Sequence, residues 1–170
     1  MSNNKMYVRV GRKFKHVPNM VGMYWDGLHL LSKERRNDSI AMVVAQHYDH
    51  VTMCALAPSP KRMNWEDAKE VCKSYFSENC ISSVSDIICH FGRLPNRAEL
   101  LLLKNHPDLL KSICKQALDN YFWTSEKYNS DIYWLLGLYL SNYLGRCYAC
   151  AKNYHYGVLA FIDVPITDLV

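Results

Sequence analysis

The chain has 170 residues, of which 49% are apolar and 21% charged. That is the balance of one folded domain and excludes intrinsic disorder, because so apolar a chain can offset the entropy of ordering. No apolar run approaches the ~20 residues a membrane helix needs. Met1-Ser2-Asn3-Asn4-Lys5 leads into no apolar segment, so no secretory signal is expected and synthesis is expected in the cytoplasm. The net charge of +4 is unevenly spread: residues 1–36 carry eight Lys/Arg against Asp26 and Glu34, and the remainder is slightly acidic. We read residues 1–20 as a basic, solvated N-terminal arm and residues 21–170 as the domain. The bases sit in no recognised nucleic-acid motif, so nucleic acid is not the expected partner.

The first half of the chain reads as strands. Residues 7–10 form a short candidate. Residues 22–27 give a strand closed by the Asp26-Gly27 turn, and residues 28–31 return. Residues 40–45, Ile-Ala-Met-Val-Val-Ala, form a continuous apolar run that fits a strand covered on both faces. Residues 50–56 make its partner, stopped by Pro58-Ser59-Pro60.

The period then changes. Asn64 is a helix cap with Asp67 three positions on, and Trp65, Ala68, Cys72 and Phe76 share one face, so a helix is expected over 64–76. A polar loop or short helix follows to Phe91-Gly92. Asn96 and Glu99 form a capping box for a second helix whose buried stripe lies in residues 100–103. Pro107 opens a short further helix to about 118. Strands return at 121–125, 132–139, 146–150 and 156–162. Strands, helices, strands make an α+β domain with two main helices beside antiparallel sheets.

Seven cysteines without a secretory signal read as buried thiols of a reducing compartment. Cys147 and Cys150 have redox or zinc-half-site spacing, but residues three apart on a strand face opposite ways. Cys72, Cys80, Cys89 and His90 have irregular spacing for zinc. No metal site and no cofactor is expected. His47, His50, His90, His155, Glu99 and Asp131 are the acid/base candidates, and their spacing implies no cooperation, so catalysis is not expected either.

Four pieces in order carry a resemblance: Met63-Asn64-Trp65 with Ala68; Gly92-Arg93-Leu94-Pro95 with Glu99-Leu100; residues 121–126, Tyr-Phe-Trp-Thr-Ser-Glu; and residues 158–161, Val-Leu-Ala-Phe. Together they resemble the Lcl-type C-terminal domain, a C-type-lectin-like domain of bacteria and phages, over roughly residues 20–163. The resemblance implies a C-type-lectin-like fold. The residues of these motifs read physically as structural, with Trp65, Leu94 and Trp123 as core anchors and Glu99 bonding backbone groups or Ser125 beneath the sheet. The acid-Pro-Asn loop and Trp-Asn-Asp strand of calcium-dependent lectins are missing, so calcium-dependent sugar binding is not implied.

Eight of the twelve tyrosines lie within residues 121–156. Some C-type-lectin-like proteins are the variable proteins of diversity-generating retroelements, whose last ~40 residues form the ligand face. By that resemblance the ligand-binding residues are Tyr128, Asn129, Asp131, Tyr133, Tyr139, Asn142, Tyr143, Arg146, Tyr148, Tyr154, His155 and Tyr156, with Trp134 and Lys152 as framework. Tyrosine gives contact area and a hydroxyl at low entropic cost. The expected function is non-enzymatic recognition of protein or glycan on a cell surface, in a setting such as a phage virion surface. The alternative is a virion or assembly protein that packs against neighbouring virion proteins or its own copies. Leu135, Leu136, Leu138, Tyr139 and Leu140 are then interface candidates.

Overall fold

A computed structural model of the chain describes residues 6–10, 13–27, 31–79, 92–117, 121–137 and 147–169. Within them the fold is mixed α+β, with antiparallel sheets and three α-helices. No helix among the described residues is long and apolar enough to cross a membrane.

The central sheet has five strands in the order β10-β6-β5-β3-β4. These are β3 (Tyr24–Trp25), β4 (Leu31–Ser32), β5 (Ala41–Gln46), β6 (His50–Ala55) and β10 (Phe161–Pro165). The apolar run in β5 is covered on both faces, as its composition requires: Ala41, Met42, Val43 and Val44 are all buried. The Asp26-Gly27 turn places Gly27 at φ 86°, a left-handed conformation that favours glycine. A bulge between Val43 and Ala45 interrupts the β5–β6 register.

The second sheet is β7 (Tyr121–Lys127), β8 (Ile132–Gly137) and β9 (Cys147–Ala151), with β8 in the middle. Its β7–β8 register breaks between Trp123 and Lys127. Side chains satisfy the interrupted backbone. Thr124, fully buried, donates its hydroxyl to the Trp134 carbonyl at 2.9 Å, and Trp65 Nε1 donates to the Thr124 carbonyl at 2.9 Å. Trp65, Leu94 and Trp123 are core residues.

Helix α1 (Trp65–Asn79) joins the two sheets and runs three residues past the expected end. Asn64 Oδ1 accepts from the Asp67 amide at 2.9 Å and caps it. Trp65, Ala68, Cys72 and Phe76 are buried. At one end the Trp65 ring stacks on Tyr133 of β8, centroids 3.9 Å apart, and toward the other Phe76 meets Trp25 of β3 at 6.3 Å. Gly92 lets the following segment touch this helix: a Cβ there would lie 2.0 Å from the Cys72 carbonyl oxygen and 2.7 Å from the Phe76 ring.

Helix α2 (Arg97–Leu102) carries the full Asn96–Glu99 capping box, and α3 (Pro107–Gln116) starts on its proline. Leu100 and Leu103 supply the buried stripe.

Three expectations change. Residues 156–162 are not one strand: β10 begins at Phe161, and the stretch before it crosses between the sheets. Gly157 exchanges backbone hydrogen bonds with Tyr121 and Trp123, whereas Phe161 pairs with Cys54. Val158, Leu159 and Ala160 are buried in the crossing, so their apolar run reflects burial rather than strand pairing. The basic arm is also structured. β1 (Met6–Val10) and β2 (Lys13–Val17) form a hairpin, and Val17 and Met20 join the core. Gln46 holds this entry by accepting from the Met20 amide at 2.8 Å and donating to the Pro18 carbonyl at 3.1 Å. Residue 20 is therefore not the edge of the packed region.

Of the two partners expected for Glu99, finally, the backbone one is present and Ser125 is not: Glu99 accepts from its own cap, Asn96 N at 2.7 Å, and, beyond the expectation, from both terminal nitrogens of Arg93 at 2.6 and 2.8 Å. The Ser125 amide donates instead to the Pro95 carbonyl.

Two outcomes follow from this packing. Gly92→Ala lowers stability by at least about 2 kcal/mol, since backbone and an aromatic ring both have to move. Glu99→Gln costs about 1–3 kcal/mol, because it weakens a half-buried charge pair and a cap together. Urea unfolding midpoints at neutral pH check both, and an unchanged midpoint for either contradicts the geometry.

Candidate functional site

The eight described members of the expected ligand set do not form one face. Tyr133 is the clearest departure: it is only 3% exposed and its ring is covered by Trp65, so it is a core residue. Its β8 position pairs with Cys150 and its ring lies on the α1 side of the sheet. Tyr156 is half-buried; its backbone exchanges two hydrogen bonds with Met63, and its ring meets Trp123 edge-on at 5.3 Å. Its hydroxyl lies 3.4 Å from the Cys150 sulfur. Tyr139, Asn142, Tyr143 and Arg146 lie outside the described residues.

Five members gather at one end of the three-stranded sheet, where the β7–β8 turn meets the turn after β9. Tyr128 is 59% and Tyr154 58% exposed, and Asn129, Asp131 and His155 are exposed beside them in sequence. The two turns are tied together. The Lys152 amide donates to the Asp131 carbonyl at 3.0 Å, and the Lys152 ammonium lies 3.4 Å from the Asp131 carboxylate. Asn129 is engaged in making its own turn, with Oδ1 accepting from the Asp131 and Ile132 amides at 3.0 Å each. Tyr148 stands apart on β9, 42% exposed, with its ring edge-on to Tyr121 at 5.2 Å.

Sequence reasoning assigned Trp134 to the framework, but the tryptophan is the inner wall of this turn end. Tyr128 contacts its ring edge-on at 5.2 Å, and the Arg97 guanidinium lies 4.7 Å over it. Arg97 is set by Glu126, which accepts from its Nε at 2.6 Å and from its amide at 2.8 Å. Those hydrogen bonds hold the guanidinium above its ordinary pKa despite opposing desolvation. Glu126 was legible only as the end of the 121–126 motif and Arg97 was not singled out at all; their meeting across 29 residues is a tertiary fact.

The acid/base candidates fall in separate places: Asp131 and His155 on the turn end just described, His47 and His50 on the central sheet, and Glu99 at the start of α2. His47 and His50 stack at 4.3 Å beside the β5–β6 turn, with Asp49 on His50 at 2.7 Å. His47 Nε2 lies 3.3 Å from the Thr52 hydroxyl, which donates to Asp163 at 2.8 Å. Thr52 is buried, so this chain of contacts offers no accessible nucleophile. Glu99 is held by Arg93, and His90 lies outside the described residues. Among the described residues no three His, Cys, Asp or Glu side chains converge as metal ligands.

Cys54, Cys72, Cys114, Cys147 and Cys150 form no disulfides. Burial pushes the Cys54 thiol well up and the Cys72 thiol up to about 12. Cys147 is exposed. Cys80 and Cys89 lie outside the described residues. The interface candidates Leu135 and Leu136 are buried inside the domain and are core, not interface. Leu138 and Leu140 lie outside the described residues. No family model matches the chain, and no curated protein compared with it shows significant similarity.

Substitution separates core tyrosine from surface tyrosine. Tyr133→Ala costs about 3–5 kcal/mol, whereas Tyr154→Ala changes stability by no more than about 0.5 kcal/mol. Thermal melts of the two variants check this. The thiols should divide likewise: mapped by mass, Cys147 reacts with a thiol reagent in the native protein, and Cys54 and Cys72 react only on unfolding. The neutral Cys72 thiol stabilises the fold fully below pH 9 and loses that contribution as pH rises toward about 12.

Proposed function

We propose that the domain is a C-type-lectin-like recognition module whose contact surface is centred on Tyr128 and Tyr154 at the turn end of the three-stranded sheet. The carrying observation is their exposure, at 59% and 58%, on two turns pinned to each other by Lys152 and Asp131. A large ring left in water at a rigid position loses little entropy when a partner covers it. Trp134 and Arg97 give the surface an aromatic and cationic inner wall. The order of the Gly92-to-Leu100 and 121–126 motifs supports the family side of this reading. The partner class is protein or glycan on a cell surface, and a phage virion surface is a setting that suits it. Residues that vary over this face, as in a retroelement target, belong to the same proposal.

Cell-surface binding by the labelled full chain tests it. The double variant Tyr128→Ser/Tyr154→Ser should keep its melting temperature and lose at least about tenfold in binding, since aromatic anchors dominate such contacts. Unchanged binding moves the contact elsewhere. In light scattering the chain should run as a monomer, with mass and melting temperature insensitive to a chelator. A stable oligomer dissociated by the same double variant favours the assembly reading instead.

A further inference from the structure

Among the described residues the small sheet is closed along one edge and open along the other. The outer side of β7 is engaged: the Trp123 amide donates to the Gly157 carbonyl, and the Ser125 amide donates to the Pro95 carbonyl. No described strand pairs with the outer side of β9. Its sequence, Cys-Tyr-Ala-Cys-Ala, pairs with β8 without a bulge, and Cys147, Tyr148 and Ala149 are exposed. Edge strands are ordinarily blunted by a charge, a proline or a bulge. β9 carries none of these.

The pairing register shows what this edge offers. The Lys152 amide donates to the Asp131 carbonyl, so these two opposed residues form a hydrogen-bonded pair. Alternation along an antiparallel ladder makes Cys150–Tyr133 and Tyr148–Leu135 hydrogen-bonded pairs as well. Ala149 and Ala151 therefore turn their backbone groups outward, away from β8. The Ala151 carbonyl accepts from the Tyr154 amide and closes the end of the edge. Two faces flank it. Tyr148, 42% exposed, lies on the face of Tyr121. Ala149 shares the other face with Trp134, its opposed residue on β8. Arg97 spans that face, with Nε held by Glu126 and a hydrogen bond from the guanidinium to the Cys147 sulfur.

We infer that β9 is a docking edge for an extended segment of a partner protein, which adds to the sheet as a fourth, antiparallel strand. A peptide strand repeats its donors and acceptors at the two-residue spacing of the edge, which a glycan does not. Tyr148 suits a β-branched apolar residue opposite it, and Arg97 suits a carboxylate opposite Cys147. A second copy pairing symmetrically about Ala149 would place Ala151 opposite Cys147 and bring no carboxylate. The edge is a site separate from the Tyr128–Tyr154 contact and does not require it.

Fluorescence anisotropy of a labelled, end-capped peptide, Thr-Val-Thr-Val-Glu, with the full chain tests the edge. Antiparallel pairing sets its middle threonine against Ala149, its second valine against Tyr148 and its glutamate opposite Cys147. N-methylation of the middle threonine removes a bonding amide and should weaken binding at least about tenfold. N-methylation of the second valine, whose amide points away from β9, should leave binding unchanged. That comparison needs no variant to fold. Ala149→Pro removes an N–H that β8 does not use, so it should keep the melting temperature and bind at least about tenfold more weakly. The peptide with lysine in place of glutamate should bind about threefold more weakly at low salt. Tyr128→Ser/Tyr154→Ser should bind the peptide like the unaltered chain, so loss of one site leaves the other measurable. Absence of binding at about 1 mM peptide overturns the inference, and so do equal losses from the two methylations. Dimerisation of the chain that Ala149→Pro abolishes overturns it in favour of a second copy.

Discussion

The Arg93 guanidinium is the point through which the separate elements of this domain are held in register. Its terminal nitrogens reach Glu99 at the start of α2, and its Nε and one terminal nitrogen reach Asp163 of β10 at 2.8 and 2.7 Å. Its backbone exchanges two hydrogen bonds with Phe161. Asp163 also accepts from Thr52 of β6. Burial alone would lower the arginine's pKa, but the hydrogen bonds it donates to Glu99 and Asp163 outweigh it and hold the group above its ordinary value. Two carboxylates on one guanidinium satisfy charges that would otherwise be half-buried without partners. The helix cap, the last strand and the strand beside it are thereby fixed by one side chain.

The rest of the packing radiates from α1. One amphipathic face serves two sheets, Trp65 meeting β8 and Phe76 meeting β3. Gly92, next to Arg93 in the chain, permits the close approach that brings the clamp up to the helix. The small sheet is then held from the α1 side by Trp65 and from the other by Arg97 over Trp134. A sheet held on both faces presents its turns rigidly, and the exposed tyrosines sit on those turns.

Local signals in the sequence determined the helices and most strands. The capping boxes at Asn64 and Asn96, Pro107 at the start of α3, the Asp26-Gly27 turn and the apolar run of β5 each act over a few residues, so each could be read without a fold. What lay outside local reach was decided by long-range contacts. Tyr133 and Tyr154 are the same residue type in the same tyrosine-rich stretch, yet one is closed under Trp65 and the other stands in water. Glu99 could be recognised as a cap partner, but its bond to Arg93, and Arg93's bond to Asp163, 70 residues further along the chain from the arginine, depend on the sheet order. The apolar residues 158–160 carry the composition of a strand while crossing between sheets, because burial and strand pairing leave the same mark on sequence. Propensity and periodicity are properties of neighbouring residues. Which face meets water is a property of what packs across it, and only the tertiary structure supplies that.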